Sequence, residues 1–298
     1  MELWSLLSIT APGLYANPER FSLYYRIPIE KRSDAERLAK LRRRIRPLML
    51  RRTKEQVARD LREKQEQVLE LELSPKHRRI YETYLQRERQ KVLGLIGNMS
   101  KNRFEIFKSL TLLRQASLDL SLVDPEHSGV SSTKLDVLME MLEDIVADGH
   151  RVLVFSQFTR FLTMARNRIR AAGIAHSYLD GRTRDRPAAI AEFREGSAKV
   201  FLISLKAGGF GLNLTEADYC ILLDPWWNPA TEAQAVDRTH RIGQTRKVMV
   251  YRLVAKDTIE EKVMSLKARK AALFANVMDG GEFESGAMTA EDVRELLG

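Results

Sequence analysis

The segment Gln234-Ala235-Val236-Asp237-Arg238-Thr239-His240-Arg241-Ile242-Gly243-Gln244 carries the most specific pattern in the chain. Arg238 and Arg241 are three residues apart, so on a helix they share a face and converge on one anion, where planar guanidinium groups grip phosphate oxygens. A solvated helix face has the same spacing, so the context matters: the pair follows an apolar strand and a Trp226-Trp227-Asn228-Pro229 loop. A second candidate is Ser204 to Asn213, where Gly208, Gly209 and Gly211 let backbone approach a phosphate or a sugar. This run does not fit the GxGxxG fingerprint. The sequence also has no Gly-Lys-Ser or Gly-Lys-Thr, so it cannot cradle a triphosphate in the P-loop manner. His240 has no second His, Cys or Asp at ligand spacing and reads as a packing or hydrogen-bonding residue. Cys220, inside a strand, reads as a small hydrophobe, and Asp180 and Asp224 read as caps of the turns that follow them.

These residues must be held by strand ends. Short apolar runs at Arg151–Ser156, Ile174–Gly181, Lys199–Ser204, Tyr219–Asp224 and Val248–Ala255 alternate with amphipathic helices, which predicts a parallel sheet covered on both faces. Helices are expected from Thr133 to near Gly149, from Phe158 to Gly173, over Arg184–Glu195, and from Thr258 to about Met278. Ser74-Pro75 starts another helix, Arg103–Leu118 forms a second, and Ser33–Ile45 and Pro47–Leu61 read as basic helices. The alternation at Val68, Leu69, Leu71 and Leu73 hints at a strand. Residues 1–30 show no clear period. In open α/β sheets ligand sites lie at the carboxyl ends of the strands, and those ends are rich in polar residues and glycine here.

The blocks VLVFSQF, YLDGRTRDR, FLISLKAGGFGLNL, LLDPWWNP and QAVDRTHRIGQ, in that order, resemble the second RecA-like lobe of the Swi/Snf group of superfamily two helicase-like ATPases. MELWSLL resembles the segment that follows the last motif of the first lobe, and RPLMLRRTKEQV resembles the region between the lobes. Lys206 before the glycines and the Thr183 to Arg186 turn resemble the bacterial members. The implied fold is α/β: residues 1–30 close a first lobe, 31–125 are mainly helical, 126–280 form the second RecA-like lobe and 281–298 a tail with a short helix. By the same resemblance Arg238 and Arg241 are arginine fingers that stabilise charge during phosphoryl transfer. Gly211 and Gln234 lie near the nucleotide, and Gln157, Arg186, Lys206, Asn213 and Trp227 face DNA. The implied cofactors are ATP and Mg²⁺, both bound mainly by a first lobe. The implied partners are double-stranded DNA, that first lobe in cis or in trans, and transcription or repair machinery. The implied setting is the bacterial cytoplasm, at the nucleoid. The P-loop lysine and the Asp-Glu pair of that lobe are not in the sequence, so the chain is expected to be inactive alone.

Length and composition agree with this reading. The 298 residues, 44% hydrophobic and 30% charged, exclude a largely disordered chain, and the single cysteine permits no internal disulfide. No apolar run reaches the roughly 18 residues of a membrane helix. Lys31 to Lys64 holds 14 Lys and Arg against 5 Asp and Glu, an excess equal to the +9 of the whole chain. Charge confined to one segment recruits phosphate backbones, and it also suits a solvated face with Arg stems lying over apolar surface. Two other functional classes stay open: a non-catalytic nucleic-acid-binding module with vestigial fingers, and a small-molecule enzyme that holds a nucleotide cofactor on its Gly-rich loop.

Overall fold

The computed structural model describes residues 2–32, 34–48, 64–205, 207, 212–226, 229–241, 243–278 and 290–298. The chain divides into two compact units, Met1–Arg59 with Arg269–Met288, and Asp60–Ala268 with Thr289–Gly298. The division falls inside the stretch expected to be a single helical region.

In the first unit the described helices are α1 (Glu2–Thr10), α2 (Pro18–Phe21), α3 (Ile27–Arg32) and α4 (Ala35–Ile45). Asn17 caps α2, accepting from the Arg20 N–H with Pro18 at the first helical position, and Asp34 caps α4 through the Arg37 N–H. A π-helical turn at Ser22–Arg26 inserts an extra residue between α2 and α3. That insertion breaks the 3.6-residue period, which explains why these residues show no periodic signal in the sequence. Leu7, Phe21, Tyr25, Leu41 and Ile45 form the small core of this unit. Arg46–Leu48 is a 3-10 turn, and the remainder of the helix expected at Pro47–Leu61 lies outside the described residues.

The second unit is built on a six-stranded sheet. Its described elements are β1 (Lys64–Leu71), α5 (Pro75–Leu95), α6 (Met99–Leu118), α7 (Thr133–Ala147), β2 (Val152–Ser156), α8 (Thr159–Ala171), β3 (His176–Leu179) and α9 (Arg186–Arg194). They continue with β4 (Val200–Ser204), β5 (Tyr219–Leu222), α10 (Pro229–Val236), β6 (Val248–Ala255), α11 (Ile259–Met278) and α12 (Ala290–Leu297). The strand order is β1-β6-β5-β2-β4-β3 and every pairing is parallel. β2 and β4 are buried along their whole length, as strands covered on both faces must be. Val152 and Val154 pack with Leu135, Leu138 and Leu142 of α7 and with Phe161, Leu162 and Ile169 of α8. Leu153 and Phe155 point the other way, to Phe193 of α9 and to Ala235 and Val236 of α10. Each such side chain contributes roughly 1.5–3 kcal/mol by leaving water, so a charge at Val154 would undo one layer of this packing.

β1 adds a strand from the region expected to be mainly helical. It pairs with β6 in unbroken register from Lys64↔Val248 to Leu71↔Ala255. As an edge strand it keeps Lys64, Glu66 and Glu70 toward solvent, which dilutes the apolar signal of a buried strand. Ser74 caps α5 as expected. α7 begins where expected, but its N-cap is Ser132, whose hydroxyl donates to the Leu118 carbonyl at 2.7 Å instead of capping. Gly149 and Gly173 take positive φ at the ends of α7 and α8, the conformation that stops a helix at low cost in glycine. No described helix is long and apolar enough to cross a membrane.

Candidate functional site

β2 and β5 are hydrogen-bonded neighbours. The chain leaves β2 for α8 on one face and leaves β5 for α10 on the other, which opens a crevice between their carboxyl ends. Asp224 lies at the bottom of that crevice, 2% exposed. Its carboxylate accepts from the Ser156 hydroxyl at 2.5 Å and from the Gln157 N–H at 3.3 Å, so it caps the turn after β2 and not the turn after its own strand. Burial pushes the Asp224 carboxyl above the usual range, against the opposing pull of Arg114 and the Ser156 hydroxyl.

Arg114 comes from α6 and is 3% exposed. Its Nη1 donates to Gln157 Oε1 at 3.0 Å, its Nη2 to the Pro225 carbonyl at 2.5 Å, and its guanidinium lies over the Phe158 ring at 5.5 Å. One arginine thus ties the loops after β2 and β5 together. Only an acceptor atom can face a guanidinium, so this contact sets the orientation of the Gln157 amide and turns it inward.

A second buried charge stands beside it. Lys134, 1% exposed, donates its three N–H bonds to Glu260 Oε2 at 2.6 Å, the Leu223 carbonyl at 2.6 Å and the Leu253 carbonyl at 2.7 Å. Burial pushes Lys134 down and Glu260 up, and each partner's charge opposes that push. Glu232 of α10, also buried, accepts from the Trp226 N–H at 3.2 Å, from Arg252 Nε at 2.5 Å and from Lys267 Nζ at 2.6 Å. Burial pushes the Glu232 carboxyl up, but Lys267 and Arg252 more than offset it and hold the group below the usual range. The strand ends on either side of the Trp226 loop are therefore fixed by buried ion pairs.

Of the residues singled out by sequence, Asp180 caps its own turn, accepting from the Arg182 N–H at 2.8 Å and the Thr183 hydroxyl at 3.2 Å. Asp185 caps α9 and sets half-buried Arg186 in its first turn. Asn213 is exposed, and Trp226 is partly buried against the core. Cys220 is fully buried in β5, which pushes its thiol up to about 12. Lys206, Gly211 and Trp227 lie outside the described residues, as does the side chain of Gln234.

The arginine pair departs from the expected helix. α10 ends at Val236, so Arg238 and Arg241 lie in the turn that follows. Buried Gln244 staples this turn to the approach to β5: its Nε2 donates to the carbonyls of Thr215 at 3.0 Å, Ala217 at 2.8 Å and Thr239 at 3.2 Å. Leu214 N–H donates to the Arg238 carbonyl at 3.1 Å. The backbone of this turn is therefore tied to residues 214–217, on the approach to β5. Arg238 is 7% exposed, and its Nε and Nη1 have no hydrogen-bond partner among the described residues. Burial and the Arg241 charge both lower its pKa, and no carboxylate among the described residues pairs with either side chain. Arg241 is exposed. Buried donors without acceptors beside a second cation fit an incoming anion.

Residues 133–243 match the helicase conserved C-terminal domain, and residues 1–122 match the SNF2-related domain. The chain is 33% identical to chromatin remodeling 24 of Arabidopsis thaliana over 99% of its own length and 32% of that protein's. It is also 33% identical to an ATP-dependent helicase of Mycoplasma pneumoniae over 100% of its length and 28% of the relative's. The SWI2/SNF2 ATPase core of Sulfolobus solfataricus, solved in complex with dsDNA, superposes with a TM-score of 0.63 at 30% identity, over 99% of this chain and 63% of that one. The chain is homologous to the SNF2 helicase-like ATPases. It spans about a third of the curated relatives it matches, and its parallel six-stranded sheet with flanking helices is the RecA-like α/β fold of the solved SWI2/SNF2 cores.

In this SNF2 homologue, reading the sequence alone missed Arg114, Lys134, Glu232 and Glu260, and gave Gln244 no role of its own. Arg114 sits in the apolar stretch Leu110 to Leu118 and Lys134 at the start of an apolar helix face. A charge set among aliphatic residues was the available signal, but the partners of both come from strands and helices far along the chain.

Proposed function

We propose that this chain supplies the second RecA-like lobe and its helical approach to an ATP-dependent translocase on double-stranded DNA, of the Swi/Snf type. Arg238 carries the reading: a buried guanidinium whose Nε and Nη1 lack acceptors and which forms no ion pair with a carboxylate among the described residues. A buried cation in that condition suits a site where an anion arrives during function, and a terminal phosphate meets its donors. In this reading Arg238 and Arg241 stabilise the γ-phosphate of ATP during phosphoryl transfer, with Gly211 and Gln234 near the nucleotide. ATP and Mg²⁺ are held mainly by a first lobe, in cis or in trans, because the sequence has no P-loop. Arg186, Lys206, Asn213 and Trp227 contact the duplex through phosphates and sugars, contacts that position without reading sequence. Gln157 acts on that track through the loop that Arg114 holds. Lys206 and the Thr183 to Arg186 turn support a bacterial-style member, which would work beside transcription or repair machinery.

The test is reconstitution. The chain is mixed with a separately expressed first lobe of a SNF2 ATPase, and DNA-stimulated ATP hydrolysis is measured. Restored turnover that falls by about 10³ or more in Arg241→Ala or Arg238→Ala supports the fingers. DNA binding that persists without any restored turnover would instead establish a non-catalytic binding module.

A further inference from the structure

The first unit holds a concavity of about 740 Å³ that the proposed ATPase reading does not use. Arg20, Arg37, Lys40 and Arg44 line it, together with Tyr24 and Tyr25, and neither Asp nor Glu is among its described lining residues. Three of the cations lie on α4 at positions i, i+3 and i+7, so they share one helix face and reach over about 10 Å. The π turn at Ser22–Arg26 presents Tyr24 and Tyr25 to that face, their rings edge to face at 4.8 Å. Arg37 and Lys40 flank the Tyr24 ring, at 4.8 Å and 5.5 Å from its centre.

Among the described residues only Arg37 of these cations has a carboxylate partner, Asp34 at 3.2 Å. Lys40 Nζ bonds the neutral Tyr24 hydroxyl at 3.0 Å, and Arg44 Nη1 reaches the Tyr25 hydroxyl at 3.4 Å. Arg20, Lys40 and Arg44 therefore have no carboxylate among the described residues. The shared face of α4 is set against an aromatic floor, with Lys40 and Arg44 each reaching a tyrosine hydroxyl. Cations spread along two helical turns suit an extended polyanion better than a single phosphate, and the ring of Tyr24, 43% exposed, offers a flat face to a backbone sugar.

We propose that this concavity is a separate binding site for the phosphate backbone of double-stranded DNA, held by Lys40, Arg44 and Arg20 and flanked by Tyr24. The site is independent of the arginine fingers and of the strand-end loops of the second unit.

The test measures binding of a labelled duplex to the whole chain by fluorescence anisotropy across a salt series. The double variant Lys40→Gln/Arg44→Gln is expected to weaken binding roughly tenfold and to reduce the slope of log affinity against log salt by about 1.8, two phosphates at about 0.9 each. The charge-preserving variant Lys40→Arg/Arg44→Lys is expected to retain the original slope, which separates charge from folding. An unchanged slope and affinity in a Gln variant with unaltered circular dichroism overturns the site. If Arg186→Gln/Asn213→Ala weakens binding while Lys40→Gln/Arg44→Gln does not, this site fails and the translocase reading stands. If the unsubstituted chain binds no duplex, both fall. Capture of ATP or inorganic phosphate that depends on Lys40 and Arg44, with duplex binding unaffected, also overturns the DNA assignment.

Discussion

Lys134→Met removes one half of a buried ion pair, and the structure sets the size of the effect. Both Lys134 and Glu260 are 1% exposed, and all three ammonium protons are used. The substitution leaves the Glu260 carboxylate with the Ala255 N–H at 2.8 Å as its remaining described donor, and Glu260 Oε1 already lacks one. The carbonyls of Leu223 and Leu253 lose their side-chain donor as well. Breaking one side of such a pair costs about 3–5 kcal/mol, a large part of the 5–15 kcal/mol typical of a folded domain. In urea unfolding followed by circular dichroism this is a fall of about 1–2 M in the midpoint with the slope unchanged. Lys134→Met/Glu260→Gln removes the orphaned charge and should recover most of the loss, because replacing both partners is far milder than removing one. A single variant that loses less than about 1 kcal/mol, or a double variant no more stable than the single, would refute the assignment of this pair as a compensated buried charge.

Arg238→Met is the opposite case: among the described residues its cation has no carboxylate to orphan, so stability should hold or rise by up to about 2 kcal/mol in thermal unfolding while reconstituted ATP hydrolysis is lost. A large loss of stability would mean that Arg238 is structural. Glu232→Gln should destabilise at neutral pH, because the folded-state pKa of Glu232 lies below its unfolded value; that stabilisation is present above about 4.5 and is lost as pH falls through the depressed pKa. The gap in melting temperature between the two proteins should therefore narrow below pH 4.5, and a gap that widens in acid would contradict the Lys267 and Arg252 contacts. Cys220, fully buried with its thiol pushed up to about 12, should resist thiol reagents in the folded chain and react on unfolding, and rapid native labelling would show that β5 opens.

Much of the sheet was legible from local pattern. The runs at Val152–Ser156 and Val200–Ser204 are buried along their whole length, and Val248–Ala255 is half-buried only at Met249, Tyr251 and Arg252, so nearly every residue is apolar and the strand signal is strong. β1 was legible only as a hint, because an edge strand alternates with charge and its partner β6 lies more than 180 residues away. The arginine spacing pointed to a shared helix face, yet α10 stops at Val236, whose carbonyl accepts from the Thr239 hydroxyl, because Gln244 and Leu214 bind the following turn to the approach to β5. Ser74 and Asp185 declared their helices locally, since a cap acts within a few residues of itself.

By itself the sequence determined the alternation of strand and helix, the concentration of positive charge between Lys31 and Lys64, and the paired guanidinium groups after β5, since period, charge and short-range caps are properties of neighbouring residues. Only the tertiary structure decided that Arg238 is buried without a counter-ion among the described residues, that Arg114 fastens Gln157 to Pro225, and that Lys134 meets Glu260. The Arg114 and Lys134 contacts join groups brought together across 43 to 126 positions. The energy of a charge in a protein is set by the water it loses and the partners it gains, and neither exists until the chain has closed around it.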